Sequence, residues 1–218
     1  MSTAGPQRHH DSLAEQAYRL LEAQLVTLEL APGDLIAEKD LVDRVDIGRT
    51  PVREAIQRLS AEGLLQVLPR KGLMVTPILR SDLLRIVEVR RVLERLMVVK
   101  AAERATPDQR QALHILGGHL ESVENDLEHF FRLDQRLDEL LEAACHNRFL
   151  VKALTAMHSQ CRRLWYLHRD RLDLAVSARL HSGLARAVAN RDGAGAIRAL
   201  DEIIAILVDL VNGLDVLS

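Results

Sequence analysis

Basic residues are concentrated in one stretch of this chain, between positions 48 and 80. That stretch holds six basic and two acidic residues, a net charge of +4, whereas 29–46 carries −4 and the whole 218-residue chain −2. Lysine and arginine pair with phosphates, and the planar guanidinium of arginine can also bind the O6 and N7 edge of guanine. The local charge therefore predicts nucleic-acid binding by this stretch, although the charge of the whole chain does not.

The basic stretch opens with an amphipathic helix, which the spacing predicts over about 51–62. The apolar residues that recur at i, i+3, i+4 and i+7, the period of one helical face, are Val52, Ala55, Ile56 and Leu59. Thr50 and Arg53 fall on the opposite face. Pro51 suits a first turn, where no amide donor is needed, and Gly63 is placed to end the helix.

A second helix is predicted before this one and a β-hairpin after it. The apolar residues that indicate the earlier helix, of about two turns, are Leu35, Ile36, Leu41, Val42 and Val45. Residues 64–68 and 73–76 are typical of two strands, and the turn at 69–72 between them carries two basic residues. Helix, turn, helix and hairpin in this order predict a winged helix-turn-helix, whose recognition helix enters a major groove.

Three segments of this region resemble the winged helix-turn-helix of GntR-type transcription regulators. They are GDLIAEKDL, GRTPVREAIQRLSAEGLL and PRKGLMV. The DNA contacts that this resemblance implies are Lys39, Arg49, Thr50, Arg53, Arg70, Lys71 and Gly72. Arginine suits base edges, Lys39 and the wing pair suit phosphates, and Gly72 would let the wing approach the groove. The family usually has serine where this chain has Gly48, so a helix cap or phosphate contact is missing. The alternative is that these charges form a solvated face.

The chain is predicted to divide near Pro77. Residues 1–11 are expected to be a flexible tail, and a capping box at 12–15 begins the first helix of a DNA-binding domain over 12–77. Further helices are expected at 81–105, after Thr106, and at 126–145, 149–170, 172–189 and 193–214. With no strand pattern there, they predict an all-α bundle over 78–218 and a mainly α fold class.

Composition and cysteine placement favour a cytoplasmic protein. Hydrophobic residues make up 48% of the chain and aromatic residues 3%, so aliphatic helices should form the core. Cys145 and Cys161 lack metal-binding or redox spacing and are expected to be reduced thiols. No stretch has the apolar character of a signal peptide or the length of a membrane span, so no membrane partner is expected.

The second half of the chain resembles the helical effector (FCD) domain of FadR-like GntR regulators. The residues that carry this resemblance are the segments EVRRVLE, FFRLDQRLD and AACHNRFL, and His181 with the AVANRD that follows it. Many such domains hold a divalent metal with one aspartate and three histidines. Here Asp134 matches the aspartate and His181 the second histidine, but Asp138 and Ile203 stand at the other two positions. No cofactor is therefore firmly predicted. The alternative is a divalent metal held by Asp134, Asp138 and His181, which is an incomplete set of ligands.

Asp134 and Asp138 have the i, i+4 spacing of one helical face, where two carboxylates repel each other unless a cation offsets them. Arg90, on the first effector helix, is the expected cation. Arg90, Asp134, Asp138 and His181 would then form a metal-free ligand pocket or a weak calcium or magnesium site. The alternative is a buried ion-pair network with no ligand.

Structural roles are expected for several other residues of the second half. His158 is grouped with the remaining histidines, at the surface or in helix packing. Trp165, Tyr166 and Phe149 are expected to fill the core, with a pocket lining as the alternative, and 161–164 is expected to lie on a solvated helical face.

Together these features predict a homodimeric transcription regulator, by resemblance a repressor, that binds a short palindrome in double-stranded DNA. Its expected effector is a small molecule, by resemblance a carboxylate-bearing metabolite. An enzyme is not predicted, because the chain lacks a nucleophile motif, a glycine-rich phosphate loop and a complete metal site. The alternative function is a helical scaffold that uses its winged helix for protein docking, and such a protein would lack salt-dependent DNA affinity.

Overall fold

The computed structural model describes residues 12–213, and the tail predicted at 1–11 lies outside them. The chain divides into two compact units, one that ends at Pro77 and one that begins at Ile78. Each unit buries its own cluster of aliphatic side chains, as expected of separate domains.

The described part of the first unit contains helices and short strands in alternation. In chain order they are α1 (Leu13–Val26), β1 (Leu35–Ile36), α2 (Glu38–Val45), α3 (Arg49–Ala61), β2 (Leu65–Leu68) and β3 (Gly72–Val75). Ser12 caps α1 by accepting a 3.1 Å hydrogen bond from the amide of Glu15. Gly63, with a φ of 74°, turns the chain just after α3. These elements form the predicted winged helix-turn-helix.

The helix predicted before the turn is shorter than expected, because Leu35 and Ile36 belong to a strand. They pair antiparallel with β3, and α2 begins only at Glu38. Gly33 turns the chain into this strand with a φ of 91°, and its amide donates a 2.9 Å hydrogen bond to the carbonyl of Val75. Two adjacent apolar residues do not distinguish a strand from a helix, so the sequence pattern was ambiguous here.

The wing is the hairpin of β2 and β3, in a three-stranded sheet of order β1-β3-β2. Gly72 begins β3 with a φ of 99°, and a Cβ at this position would lie 2.8 Å from the carbonyl oxygen of Ile36. The close approach of β1 to β3 therefore requires glycine here, whatever part Gly72 plays at DNA.

The described part of the second unit is an all-α bundle. Its helices are α4 (Arg80–Arg104), α5 (Pro107–Glu121), α6 (Leu127–Cys145), α7 (Arg148–Leu167), α8 (Leu174–Ala189) and α9 (Gly193–Asn212). This confirms the predicted bundle of six, although α7 ends before 170 and a single 3₁₀ turn, Arg169–Arg171, follows it. Between Leu13 and Asn212, none of the helices combines the length and apolar character needed to cross a membrane.

Candidate nucleic-acid interface and ligand cavity

One face of α3 is buried and the opposite face is open to solvent. The apolar residues predicted for this helix all lie in the core of the first unit: Val52, Ala55, Ile56 and Leu59. Arg49, Thr50 and Arg53 are exposed. The N-cap of α3 is Gly48, which makes no side-chain capping hydrogen bond. Exposed basic and hydroxyl side chains at the start of a recognition helix suit contacts with base edges and phosphates.

Arg53 is held by an acidic residue of the preceding helix. Its Nε donates a 2.8 Å hydrogen bond to Oε1 of Glu38. The two side chains are 63% and 38% exposed, so the pair adds less than about 1 kcal/mol to stability. Its more important effect is to orient the Arg53 guanidinium on the solvent-exposed side of α3.

Arg58, at the far end of α3, has a structural role. Its guanidinium carbon lies 3.5 Å from the centre of the Tyr18 ring, and its Nε donates to Glu62 at 3.1 Å. Its Nη1 also donates to Glu15 at 2.9 Å. These contacts tie α3 to α1, which agrees with leaving Arg58 out of the predicted DNA contacts.

The remaining predicted contact residues lie on α2 and on the wing. Lys39, Arg70 and Lys71 are exposed, and Arg70 adopts a φ of 64° at the tip of the hairpin. Two basic side chains on a projecting turn suit phosphate contacts. The structure thus places all seven candidates on α2, α3 and the wing of one unit.

The second unit contains a cavity of about 50 Å³ between α4, α6, α7, α8 and α9, which is partly open to solvent. The residues predicted to form a ligand pocket all line it: Arg90, Asp134, Asp138 and His181. Ile203 and Trp165, the single tryptophan of the chain, also line it. The structure adds three charged or titratable residues to this wall, Glu94, His158 and Arg162.

His181 is buried and fixed by partners at both ring nitrogens. Nδ1 lies 2.7 Å from the carbonyl oxygen of Ser177, and Nε2 lies 3.2 Å from Oδ1 of Asp134. A carbonyl oxygen only accepts hydrogen bonds, so Nδ1 carries a proton and Nε2 faces the carboxylate. Burial alone would lower the pKa of His181, but the hydrogen bond and charge of Asp134 raise it above its usual value.

Asp138 forms its ion pair with Arg162, whereas Arg90, the expected cation, acts on Asp138 through its charge and makes its own ion pair elsewhere. Oδ2 of Asp138 accepts a 2.7 Å hydrogen bond from Nη2 of Arg162 and lies 3.6 Å from Nδ1 of His158. Burial alone would raise the pKa of Asp138, but the charges of His158 and Arg162 lower it. The cation that pairs with this carboxylate therefore comes from α7.

Arg90 pairs instead with Glu94, one turn further along α4. Its Nε and Nη2 donate to Oε1 of Glu94 at 3.0 and 2.7 Å, and Nε2 of His158 lies 2.7 Å from the same oxygen. Burial alone would raise the pKa of Glu94, but Arg90 holds it below its usual value. The other oxygen, Oε2, is buried without a hydrogen-bond partner. It can therefore accept a hydrogen bond from a molecule in the cavity.

His158 joins these two ion pairs. Its side chain is 2% exposed, and its Nδ1 also lies 3.6 Å from Oε1 of Glu142. Burial alone would lower the pKa of His158, but Asp138, Glu142 and Glu94 raise it to about 9. The imidazole is therefore the charged centre of a network that links α4, α6 and α7.

Three of the site residues were missed by sequence reasoning: Glu94, His158 and Arg162. The prediction of a solvated face at 161–164 is wrong, since three of the four residues are buried and Arg162 lines the cavity. Phe149, expected in the core, is 72% exposed. The i, i+4 spacing of Arg90 with Glu94, and of His158 with Arg162, is the signal that could have indicated these polar faces.

The donor set of the cavity does not fit a transition metal. Asp134 and His181 converge, but Asp138 is bound to a guanidinium, and Ile203 supplies no donor atom. Zinc sites use at least three protein ligands. Across residues 12–213, no group of three or more His, Cys, Asp and Glu side chains is arranged to hold a metal ion.

A winged helix-turn-helix with an exposed basic face, followed in the same chain by a helical domain with a charged cavity, defines a winged-helix transcription regulator with a ligand-binding domain. Comparison with known families agrees. Residues 13–75 match the family described as bacterial regulatory proteins, gntR family, and residues 85–205, more than half of the chain, match the FCD domain. The chain belongs to the GntR family of bacterial regulatory proteins and carries an FCD domain, which confirms the resemblance in both halves.

Similar proteins include two regulators of Escherichia coli (strain K12). The HTH-type transcriptional repressor RspR is 28% identical over 193 residues, which cover 86% of this chain and 84% of RspR. The HTH-type transcriptional regulator McbR is 30% identical over 158 residues, which cover 72% of this chain and 68% of McbR. The solved structure of E. coli McbR/YncC superposes with a TM-score of 0.80 and 23% identity, over 93% of this chain and 98% of that one, and so shows the same fold.

Proposed function

We propose that this protein is a cytoplasmic, homodimeric transcription repressor whose operator affinity is controlled by a small carboxylate-bearing metabolite. The observation that carries the proposal is the presence, in one chain, of an exposed basic α3 face and a cavity lined by two arginines, Arg90 and Arg162. The repressor role is supported by the similarity to RspR, whose name describes a repressor. The protein acts by binding, without catalysis.

The DNA partner is double-stranded and recognised by sequence. Arg49 and Arg53 suit guanine edges, and each good bidentate contact discriminates by about 1–3 kcal/mol. Thr50 suits a neighbouring base or phosphate. The phosphate contacts, which make affinity fall as salt rises, come from Lys39 and from the wing residues Arg70, Lys71 and Gly72.

The first effector helix supplies the surface for a second copy of the chain. Val89, Val92 and Leu96 recur at i, i+3 and i+7 on α4 and are 46%, 68% and 43% exposed. An apolar stripe of this spacing is stabilised when another helix covers it. Two protomers related by a two-fold axis would then read the two halves of a palindrome.

The dimer is tested by sedimentation of Val92→Asp, because a buried carboxylate on this stripe would be unpaired. We expect the variant to sediment as a monomer. Ile115→Asp, at an apolar residue of α5 that is 49% exposed, is the matched control and should remain dimeric. Equal association by the wild type and Val92→Asp would place the dimer contact elsewhere.

The cavity suits a ligand with both a carboxylate and a hydrogen-bond donor. A guanidinium binds carboxylates through two parallel N–H groups, so a ligand carboxylate can replace Asp138 at Arg162. Oε2 of Glu94 offers a buried acceptor for a hydroxyl or N–H group of the same ligand. The cavity of about 50 Å³ has room for about three or four water-sized groups, so the ligand is small unless the helices move.

Regulation follows if this ligand binds one conformation of the protein more tightly than another. The ligand then shifts the equilibrium away from the DNA-binding conformation. The equilibrium constant between the two conformations can change at most by the ratio of the ligand's affinities for them. Coupling of this kind is typically about 1–3 kcal/mol, so operator affinity should fall by about 5–150-fold at saturation.

The function is tested by selecting randomised duplex DNA with the full-length protein and measuring affinity for the selected duplex over a range of salt. We expect a palindromic sequence and an affinity that falls linearly, on logarithmic axes, with salt. Small mono- and dicarboxylates are then screened by Trp165 fluorescence and by release of the selected duplex. A folded protein with no salt-dependent DNA affinity would support the docking scaffold instead.

A further inference from the structure

We infer that the FCD cavity of this protein takes its effector without a metal ion, because the Arg162 guanidinium supplies the positive charge at Asp138 that a divalent cation would otherwise supply. The inference rests on the proposed function in one respect, namely that the cavity is the effector site. It concerns how the ligand is held. The residues that determine this lie on α6, α7, α8 and α9.

Half of a metal site is present. Nε2 of His181 lies 3.2 Å from Oδ1 of Asp134, a separation that two ligands of one metal ion could have. Nδ1 of His181 points at the carbonyl of Ser177 at 2.7 Å, the kind of second contact that orients a ligating imidazole. Two donors alone do not hold a transition metal, so the remaining positions decide the outcome.

The third position is occupied by an internal ion pair. Asp138 is one helical turn from Asp134 on α6, and its Oδ2 accepts a 2.7 Å hydrogen bond from Nη2 of Arg162. Both side chains are about four-fifths buried, at 21% and 20% exposure, so solvent screens this pair weakly. A metal ion at Asp138 would have to displace the guanidinium or lie next to it, and like charges repel strongly in a buried site.

The fourth position is apolar, and a second arginine lies in the wall, paired with a carboxylate. Ile203 lines the cavity from α9 and has no donor atom. Arg90, paired with Glu94 at 2.7 Å, brings a second permanent cation into the same cavity. Arginine remains protonated in proteins and forms two-pronged contacts with carboxylates, so Arg162 can hold either Asp138 or a ligand carboxylate in turn.

The first test uses the unmodified full-length protein. It is purified without a tag, stripped with chelator and dialysed against Zn²⁺, Mn²⁺ or Ni²⁺ in turn. We expect metal content to stay substoichiometric and the melting curve, followed by Trp165 fluorescence, to be the same with metal and with chelator. Stoichiometric metal with a chelator-sensitive melt would overturn the inference.

The second test rebuilds the metal site by substitution. Ile203→His returns an imidazole, and Arg162→Met removes the guanidinium while keeping a long side chain. We expect the double variant I203H/R162M to bind Zn²⁺ or Ni²⁺ at least about tenfold more tightly than I203H alone, the scale on which second contacts tune metal affinity. The matched control is I203H/R136M, which removes an exposed arginine of α6 that pairs with Glu139.

The other possible results of the second test also bear on the role of Arg162. Equal metal affinity of I203H and I203H/R162M, or no affinity in either, would show that Arg162 is not what stands in the metal's place. If R162M proves too unstable to purify, the wild-type metal content and the I203H variant still test the inference. Wild-type binding to the selected DNA is measured in chelator alongside, so that a failure of DNA binding counts against the proposed function and leaves the metal result intact.

Discussion

The charge at the centre of the cavity network predicts that His158→Gln changes how stability depends on pH. The His158 side chain is 2% exposed and has Glu94, Asp138 and Glu142 around its two nitrogens, at 2.7, 3.6 and 3.6 Å. Arg90 and Arg162 are the cations paired with the first two of these carboxylates. Glutamine keeps a polar side chain but cannot carry the positive charge.

The size and direction of the effect follow from the pKa of His158, which is raised from 6.5 to about 9. A raised pKa means that the folded protein holds the proton more tightly than the unfolded chain. The stabilising effect is therefore complete below about pH 6.5 and is lost as pH rises through about 9. At about 1.4 kcal/mol per pH unit, the difference between 6.5 and 9 corresponds to about 3 kcal/mol.

The assay is urea unfolding of the wild type and His158→Gln at about pH 6 and about pH 9.5. Trp165, the only tryptophan, lines the same cavity, so its fluorescence reports unfolding of the helical domain. We expect the stability advantage of the wild type to shrink by about 3 kcal/mol between the two pH values. His114→Gln, at an exposed residue of α5, is the matched control and should follow the wild-type profile. Parallel profiles for the wild type and His158→Gln would refute the reasoning.

Three further predictions concern the DNA-binding domain. Gly48→Ser should raise the free energy of unfolding by about 0.3 kcal/mol, because Gly48 has a φ of −58° and open space for a capping hydroxyl. A lower melting temperature than that of the wild type would contradict this. Glu38→Ala should lower the ratio of specific to non-specific DNA affinity, since Arg53 loses the contact that orients it, and competition binding with an unchanged ratio would argue against that role. Gly72→Ala should destabilise the domain by about 1–3 kcal/mol, because a Cβ would meet the Ile36 carbonyl at 2.8 Å, and a circular dichroism melt equal to that of the wild type would rule the strain out.

Local patterns explain why most of the DNA-binding domain could be predicted. The stripe from Val52 to Leu59 sets α3, and the basic turn between two short strands sets the wing, because both signals lie within a few residues of sequence. The strand at Leu35–Ile36 could not be predicted in this way. Its two residues become a strand only because β3, almost forty positions further on, supplies the hydrogen-bond partners.

The cavity shows the same limit for side-chain partners. The i, i+4 pair Asp134 and Asp138 was recognisable from spacing, and both residues line the cavity. The choice between Arg90 and Arg162 as the partner of Asp138 was not recognisable, because α4 and α7 each bring an arginine to the cavity and the partner depends on where each side chain lies in the folded protein. His158 was overlooked for the same reason, since an isolated histidine on an amphipathic helix carries no sign of three carboxylates from other positions.

The measurement that tests the central claim most directly is the sequence preference of the wild type, Arg49→Ala and Arg53→Ala for the selected duplex over a scrambled one. Fluorescence anisotropy at fixed salt gives both affinities. We predict a clear preference in the wild type that falls by about 1–3 kcal/mol in each variant, while Arg136→Ala, in the helical domain, leaves it unchanged. Equal affinity of the wild type for both duplexes, or a preference that neither substitution alters, would contradict the account.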